Sequence, residues 1–327
     1  MKFIFIFLVF ISSLFGDKMI KVATYNVENL FDLNKAGYKY KEYKPFGKSL
    51  WNKKNYKIKL ENIAKVIKDV DADIIALQEI HSLDALKDLR YMLKKKGLYY
   101  KYYTITDKKP TAIHVAFLSK LPFVYTKELR VTSSYRYRNI LEVKLNIEGK
   151  DLYLFSNHWK AKSGPESMRI RSAKVLRKRV EKLGFDKNII LLGDFNSDYE
   201  EYKKFKRKRR HNDTNGKTGI NHVLRSINKG KNSFYNLWYD AKEEDRYSYI
   251  YRGKKEALDN ILVSQSLLKK DGISYVGDSI KHLDKSYLFN KKQIYRWKVS
   301  RARVPKHKGK GYSDHLPVMA KFRLSTN

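Results

Sequence analysis

The sequence predicts an α/β protein built in layers around mixed, largely antiparallel sheets. Three observations carry that reading. Short apolar runs recur along the chain at Ile20–Tyr25, Ile74–Leu77, His114–Leu118, Leu141–Ile147, Leu152–Phe155, Ile189–Leu192, Ile261–Val263 and Val318–Phe322, each the length of a strand. Leu141, Val143, Leu145 and Ile147 alternate with polar residues, and Glu148-Gly149-Lys150 then turns the chain into Leu152, which marks an antiparallel hairpin. Two segments carry helical periodicity instead. Residues 57–70 place Leu60, Ile63, Ala64, Ile67 and Val70 on one face, and residues 166–183 do the same with Ala173, Leu176, Val180 and Leu183. Strands of this kind with a few amphipathic helices pack as sheets covered by helices.

The chain has 327 residues and no cysteine, which excludes disulfide scaffolds, thiolate nucleophiles and cysteine-ligated zinc. Hydrophobic residues make up 42%, enough for a core. Lys and Arg number 70 against 34 Asp and Glu, a formal net charge of +36. Such an excess attracts polyanions or anionic membranes. Met1-Lys2 followed by the apolar run Phe3–Phe15 reads as a signal peptide over residues 1–16, with cleavage after Gly16, although Leu14 departs from the small-residue rule. The run is too short to span a bilayer, which takes about 20 residues. Residues 17–327 are expected to form one domain, monomeric and without stable membrane association once the leader is cut. Residues 200–235, with the basic octet 203–210 and a polar Gly/Asn-rich stretch, are expected to be a surface insertion.

Polar groups punctuate the strand ends. Ile20–Tyr25 runs into Asn26 and Glu28, Ile74–Leu77 into Gln78 and Glu79, Leu152–Phe155 into Asn157 and His158, and Ile189–Leu192 into Asp194 and Asn196. Asp259 stands in front of Ile261, and Ser313-Asp314-His315 in front of Val318. If the last two strands run opposite to the other four, all six clusters share one rim. Asn26, Glu79, Asp194, Asn196 and Asp314 are hard oxygen donors, so the expected cation is Mg²⁺, with Mn²⁺ or Ca²⁺ as alternatives, and not zinc. His158 and His315 are the acid–base candidates, and Asp259 could orient His315. Together with the positive charge, this set suits attack of water on a phosphate ester. Each cluster alone has a plain reading as turn, loop or packed residue.

The segments TYNVENLFD (24–32), DIIALQEI (73–80), FSNHWKAKSG (155–164), ILLGDFNSD (190–198), ALDNILVS (257–264) and YSDHLPV (312–318) resemble, in order, those of the endonuclease/exonuclease/phosphatase superfamily, the group of deoxyribonuclease I and exonuclease III. The resemblance implies a four-layer α/β sandwich of two packed mixed sheets flanked by helices, with the active site at one edge. It implies that Asn26 and Glu79 bind the metal, Glu79 foremost, with Asp314 as a second carboxylate on the metal side. Asp194 matches the residue that orients or activates water or stabilises the leaving group, and Asn196 the amide that holds the phosphate. His315 matches the histidine paired with Asp259, and His158 the second histidine, the family differing over which is acid and which is base. Arg138 matches a phosphate-contacting arginine, with Arg136 as the alternative. One departure stands out. Where the deoxyribonuclease I-like branch pairs the second histidine with a carboxylate, residues 112–115 read Ala-Ile-His-Val. The stretch NHWKAKSG, the basic helix after it and YSYIYRGKKEALDN (247–260) look like secreted bacterial endonucleases of the family, while the alternating Tyr247, Tyr249 and Tyr251 read as a half-buried strand. Lys160, Lys162, Arg169 and Arg171 near His158 are expected to hold a nucleic-acid backbone.

The fold hosts many substrates, so charge must choose among them. A nucleic acid engages many phosphates and releases a counterion at each. The expectation is a secreted or periplasmic, divalent-metal-dependent endonuclease of low sequence specificity that cleaves DNA and, as a further substrate, RNA. The alternatives are a phospholipid phosphodiesterase of the sphingomyelinase type and a non-catalytic DNA-binding relative.

Overall fold

A computed structural model describes residues 18–37, 39–205, 211–227 and 230–325. The expected signal peptide and residues 206–210 of the basic octet lie outside the described residues. In chain order the elements are β1 (Lys18–Leu30), α1 (Lys53–Val70), β2 (Ile74–Ile80), α2 (Leu83–Lys95), β3 (Tyr102–Ile105), β4 (His114–Ser119), β5 (Tyr125–Leu129), β6 (Ile140–Ile147), β7 (Lys150–His158), α3 (Glu166–Leu183), β8 (Ile189–Asp194) and the short α4 (Glu201–Phe205). There follow β9 (Phe234–Asn236), the hairpin β10 (Tyr249–Tyr251) and β11 (Lys254–Glu256), β12 (Asp259–Ser264), β13 (Ile273–Tyr275), β14 (Lys281–His282), β15 (Phe289–Asn290), β16 (Gln293–Ile294) and β17 (Val318–Leu324). All eight expected strands and both expected helices are present. Helix α2 was missed, although Ser82 caps its N-terminus through the Ala85 amide and Ala85, Leu86, Leu89 and Leu93 form its buried stripe.

Two mixed sheets result. One orders β13-β17-β1-β2-β4-β3, with β14 also on β17, and the other orders β5-β6-β7-β8-β12-β9. The pairs β1–β2 and β7–β8 are parallel, while β17 on β1 and β12 on β8 are antiparallel, which is the arrangement the common rim requires. Glu148 and Gly149, both with positive φ, make the two-residue turn between Ile147 and Lys150.

Strand parity builds the layers, because successive side chains face opposite sides. Ile20, Val22, Ile74, Ala76, Leu152, Leu154, Ile190, Leu192, Ile261 and Val263 pack between the two sheets. The alternate residues Ala23, Tyr25, Ile75 and Leu77 pack outward with α1 and α2. Phe155, Ile189, Leu191 and Leu262 pack on the other side with Ala173, Leu176 and Val180 of α3. The molecule is thus the expected four-layer sandwich. Among the described residues no helix is long and apolar enough to cross a membrane.

Part of residues 200–235 differs from the expected surface insertion, while Lys203, Lys204, Asp213, Asn215 and Lys217 are exposed as expected. Ile220, Leu224 and Phe234 are fully buried in the layer under α3. Two of the segment's polar positions are satisfied internally: Asn221 donates to the Tyr199 carbonyl at 2.7 Å and to Ser226 Oγ at 3.0 Å, and the Gly219 amide donates to Glu166 at 2.8 Å. Composition read as solvated was a hydrogen-bonded lining.

Candidate active site

The site extends the inner faces of the sheets past their last apolar residues. Asn26 continues the parity of Ile20 and Val22, His158 that of Leu152 and Leu154, Asp194 that of Ile190 and Leu192, and Asp259 that of Ile261 and Val263. Asn26 Nδ2 lies 3.1 Å from Asp194 Oδ2, which joins the rims of the two sheets. Glu79 has the wrong parity for this face. It reaches the site because the β1–β2 and β2–β4 ladders shift register there and Glu79 itself adopts φ 67°. The bulge re-aims the carboxylate, so that Asn26 Nδ2 donates to Glu79 Oε1 at 3.2 Å and the Asn29 amide to Oε2 at 2.9 Å. Glu28, Asn29 and Asn196 also have positive φ, a clustering of strained backbone expected where function over-determines geometry. Gly193 is needed for another reason: at φ 129°, a Cβ there would sit 2.1 Å from the Asn157 carbonyl oxygen.

Asp194 is held by three donors. The Asn196 amide reaches Oδ1 at 2.8 Å, and the side-chain amides of Asn26 and Asn196 both reach Oδ2 at 3.1 Å. Burial pushes its pKa up to about 7, with the His315 charge opposing and Asp259 adding to the rise. His315 Nδ1 meets Asp259 Oδ2 at 2.6 Å, and its ring lies against Tyr249 with centroids 5.0 Å apart. Burial disfavours its charge, but Asp259, Asp194 and Asp314 outweigh it and raise the pKa well above the ordinary value. His158 is opposite: burial, then Arg138 and His315, hold it well below. The two histidines are therefore driven in opposite directions, His315 toward the cation and His158 toward the neutral ring. His158 Nε2 is 3.5 Å from Asp194 and 3.7 Å from Glu79, while its buried Nδ1 has no hydrogen-bond partner. That orphaned atom is the counterpart of the carboxylate missing from residues 112–115. His114, the polar residue in that stretch, turns instead to Thr106 Oγ1 at 3.3 Å.

Two groups of donors could hold a cation. Asp194, Asp259 and His315 present atoms within 4.8 Å of one another. Yet Asp259 Oδ2 and His315 Nδ1 are used in a mutual hydrogen bond, although buried Asp259 Oδ1 has no partner, and the side chains of Asp194 and Asp259 are only 2% and 0% exposed. Glu79 and Asp314 are 17% and 20% exposed at the open side of the rim. Burial and then the Asp314 charge raise the Glu79 pKa, with Arg138 opposing. With the Asn26 amide, this all-oxygen set fits a hard divalent ion. Asn26 Oδ1 accepts the Glu28 amide at 3.0 Å, which leaves its second lone pair for a metal.

Sequence reasoning missed the layer behind Asp314. Arg296 donates to Glu28 through Nε at 2.9 Å and ion-pairs with Asp314 at 3.1 Å, and the Trp297 amide donates to Glu28 at 3.1 Å. Lys59, fully buried on α1, donates to the Tyr312 carbonyl at 3.1 Å. Burial and Asp314 push Glu28 up to about 7, with Lys59 and Arg296 opposing. No motif surrounds Arg296, and only the fold brings it across. Ser313 Oγ ties this loop to β1 by donating to the Asn26 carbonyl at 2.6 Å.

The expected backbone-holding cations divide. Arg138 Nη1 donates to the Trp159 carbonyl at 3.1 Å, beside Asn196 Nδ2, which donates to the same oxygen at 3.2 Å. Lys160 borders the cleft next to it. Arg169 requires correction. It is 1% exposed, pairs with Glu166 at 2.6 Å and donates to the carbonyls of Lys160, Ala161 and Gly164 at 3.2–3.3 Å. It holds the loop after β7 and cannot meet substrate, since a buried arginine is tolerated only with its donors satisfied. Lys162 is neutralised by Glu256 at 2.7 Å and Glu201 at 3.0 Å. Arg171 is exposed on α3, its guanidinium 5.6 Å from the Tyr137 ring centroid. Tyr249 and Tyr251 do lie on a strand, and Tyr247 is buried just before it.

A family model described as "Endonuclease/Exonuclease/phosphatase family" matches residues 21–324. The chain belongs to that family. Members of the endonuclease/exonuclease/phosphatase family are metal-dependent phosphoesterases, nucleases among them. Solved structures share the family fold at low identity. TDP2 from D. rerio, complexed with a single strand DNA product, is 14% identical with a TM-score of 0.59, over 94% of this chain and 99% of that one. An endonuclease/exonuclease/phosphatase family protein from Bacteroides thetaiotaomicron is 16% identical, TM-score 0.57, over 95% and 100%. A mannosyl-6-phosphatase from the same organism is 17% identical, TM-score 0.55, over 93% and 99%. No curated protein matches the sequence.

Proposed function

We propose that this protein is an exported, divalent-metal-dependent endonuclease of low sequence specificity, acting on DNA and also on RNA. The observation that carries the reading is the convergence of Glu79, Asp194 and the Asp259–His315 pair on one rim, in a molecule of net charge +36. Such a field favours a substrate with many phosphates over one with a single headgroup. The DNA-bound neighbour supports the substrate class, and the apolar leader supports export. Phosphate contacts carry no base information, which accounts for low specificity.

Asn26, Glu79 and Asp314 would hold the ion. When bound, a hard cation neutralises charge on the phosphoryl oxygens. The remaining work falls to the chain. Asp194, fixed by its three donors, orients a water and takes its proton as the water oxygen bonds to phosphorus. The bond to the leaving oxygen breaks, and that oxygen takes a proton from solvent. Cationic His315, held by Asp259, donates to a non-bridging oxygen as charge builds there, and Arg138 and Asn196 keep the phosphate in place.

The test is digestion of supercoiled plasmid by the purified protein. With Mg²⁺, Mn²⁺ or Ca²⁺ the expected products are nicked circles, then linear DNA, then fragments without preferred ends, and a chelator should stop the reaction. Plasmid left intact with every one of these metals present would overturn the endonuclease reading.

A further inference from the structure

Beside the rim lies a cleft of about 590 Å³ whose lining includes Arg136, Arg138, Lys160, Ala112, Ile113 and Tyr135. This volume is in the range of small-molecule sites, about 300–1,000 Å³. No carboxylate lines it, and among the described residues none of the three cations makes an ion pair, Arg138 feeling Glu79 only at longer range. Gathering like charges without a counter-ion is unfavourable in the free protein. Burial, then Arg138 and Arg136, depress the Lys160 pKa accordingly. The arrangement becomes favourable once an anion enters.

Arg138 links the cleft to the chemistry. It hangs from the same Trp159 carbonyl as Asn196, and its charge acts on both Glu79 and His158. An anion in the cleft therefore sits one step from the reacting phosphate. Tyr135 lines the same cleft and is 74% exposed, so its ring face is accessible to a ligand. Ala112 and Ile113 offer an apolar wall, and both are nearly buried.

We propose that this cleft binds the nucleotide adjacent to the scissile bond, its phosphate held by Arg136 and Lys160, its base stacked on Tyr135 and its sugar against Ala112 and Ile113. The proposal rests on the endonuclease reading and specifies its substrate: a diester carrying a neighbouring phosphate and ring, in preference to an isolated one. Stacking on an aromatic is indifferent to base identity, which agrees with low specificity.

The experiment compares a single-stranded octanucleotide with bis(p-nitrophenyl) phosphate, which lacks the neighbouring nucleotide, using the full-length protein and its Tyr135→Ala, Tyr135→Phe and Arg136→Ala variants. Thermal melting establishes that each variant is folded. The ratio of kcat/KM for the octanucleotide over the small diester should fall about tenfold in Tyr135→Ala and Arg136→Ala, chiefly through KM, and recover in Tyr135→Phe. A ratio within twofold of the wild type in both alanine variants, with the wild type cleaving the octanucleotide, would overturn the subsite alone. A wild type that hydrolyses the small diester but no oligonucleotide, or hydrolyses neither, would overturn the endonuclease reading and the subsite with it.

Discussion

Glu79→Ala is expected to reduce DNA cleavage on the order of 10³-fold while changing duplex affinity by no more than a few fold. The carboxylate sits at the accessible side of the rim, held by Asn26 Nδ2 and the Asn29 amide, and its pKa is raised by burial and by Asp314. Removing it takes away the oxygen donor proposed as the ion's principal ligand. It leaves Arg136, Arg138, Lys160 and the wider surplus of positive charge to bind the backbone. Steady-state rates on plasmid and equilibrium binding of a non-cleavable duplex separate the two effects. Cleavage within tenfold of the wild type would show that the ion is held elsewhere.

His315→Ala is expected to lower kcat by about 10²–10⁴-fold, with KM within about threefold. Its imidazole is driven toward the cation, despite burial, by the 2.6 Å contact with Asp259 and by the facing Asp194 and Asp314. Charge held in place before the reaction acts on the transition state more than on the bound substrate. Asp259→Asn should reproduce most of the loss, because the amide cannot stabilise the protonated ring. A variant that loses affinity but keeps its turnover would make His315 a substrate contact.

Much of this site could be read from the chain because parity carries it. Asn26, His158, Asp194 and Asp259 each prolong an alternation begun by inward apolar residues, so knowing the strands already placed them on one face. The orientation of β12 and β17 followed from antiparallel pairing. Glu79 breaks the alternation, and only its bulge and positive φ bring it inward, features that no hydropathy pattern records. Arg296 comes from a loop with little regular structure and becomes meaningful only through its partners Glu28 and Asp314. Arg169 misled for the converse reason: in sequence a helix arginine near His158 looks like a phosphate ligand, but its guanidinium is spent on Glu166 and three carbonyls. Residues 218–224 misled through composition, since polar residues that bond one another line a core as well as they face water.

The central claim is that one divalent ion sits at Glu79 on a rim shared by both sheets. Anomalous diffraction from crystals grown with Mn²⁺ tests it directly. The account predicts a peak at direct-ligand distance, about 2.0–2.6 Å, from a Glu79 carboxylate oxygen, on the Asn26 and Asp314 side. A peak coordinated by Asp194, Asp259 and His315, with no metal at Glu79, would contradict it.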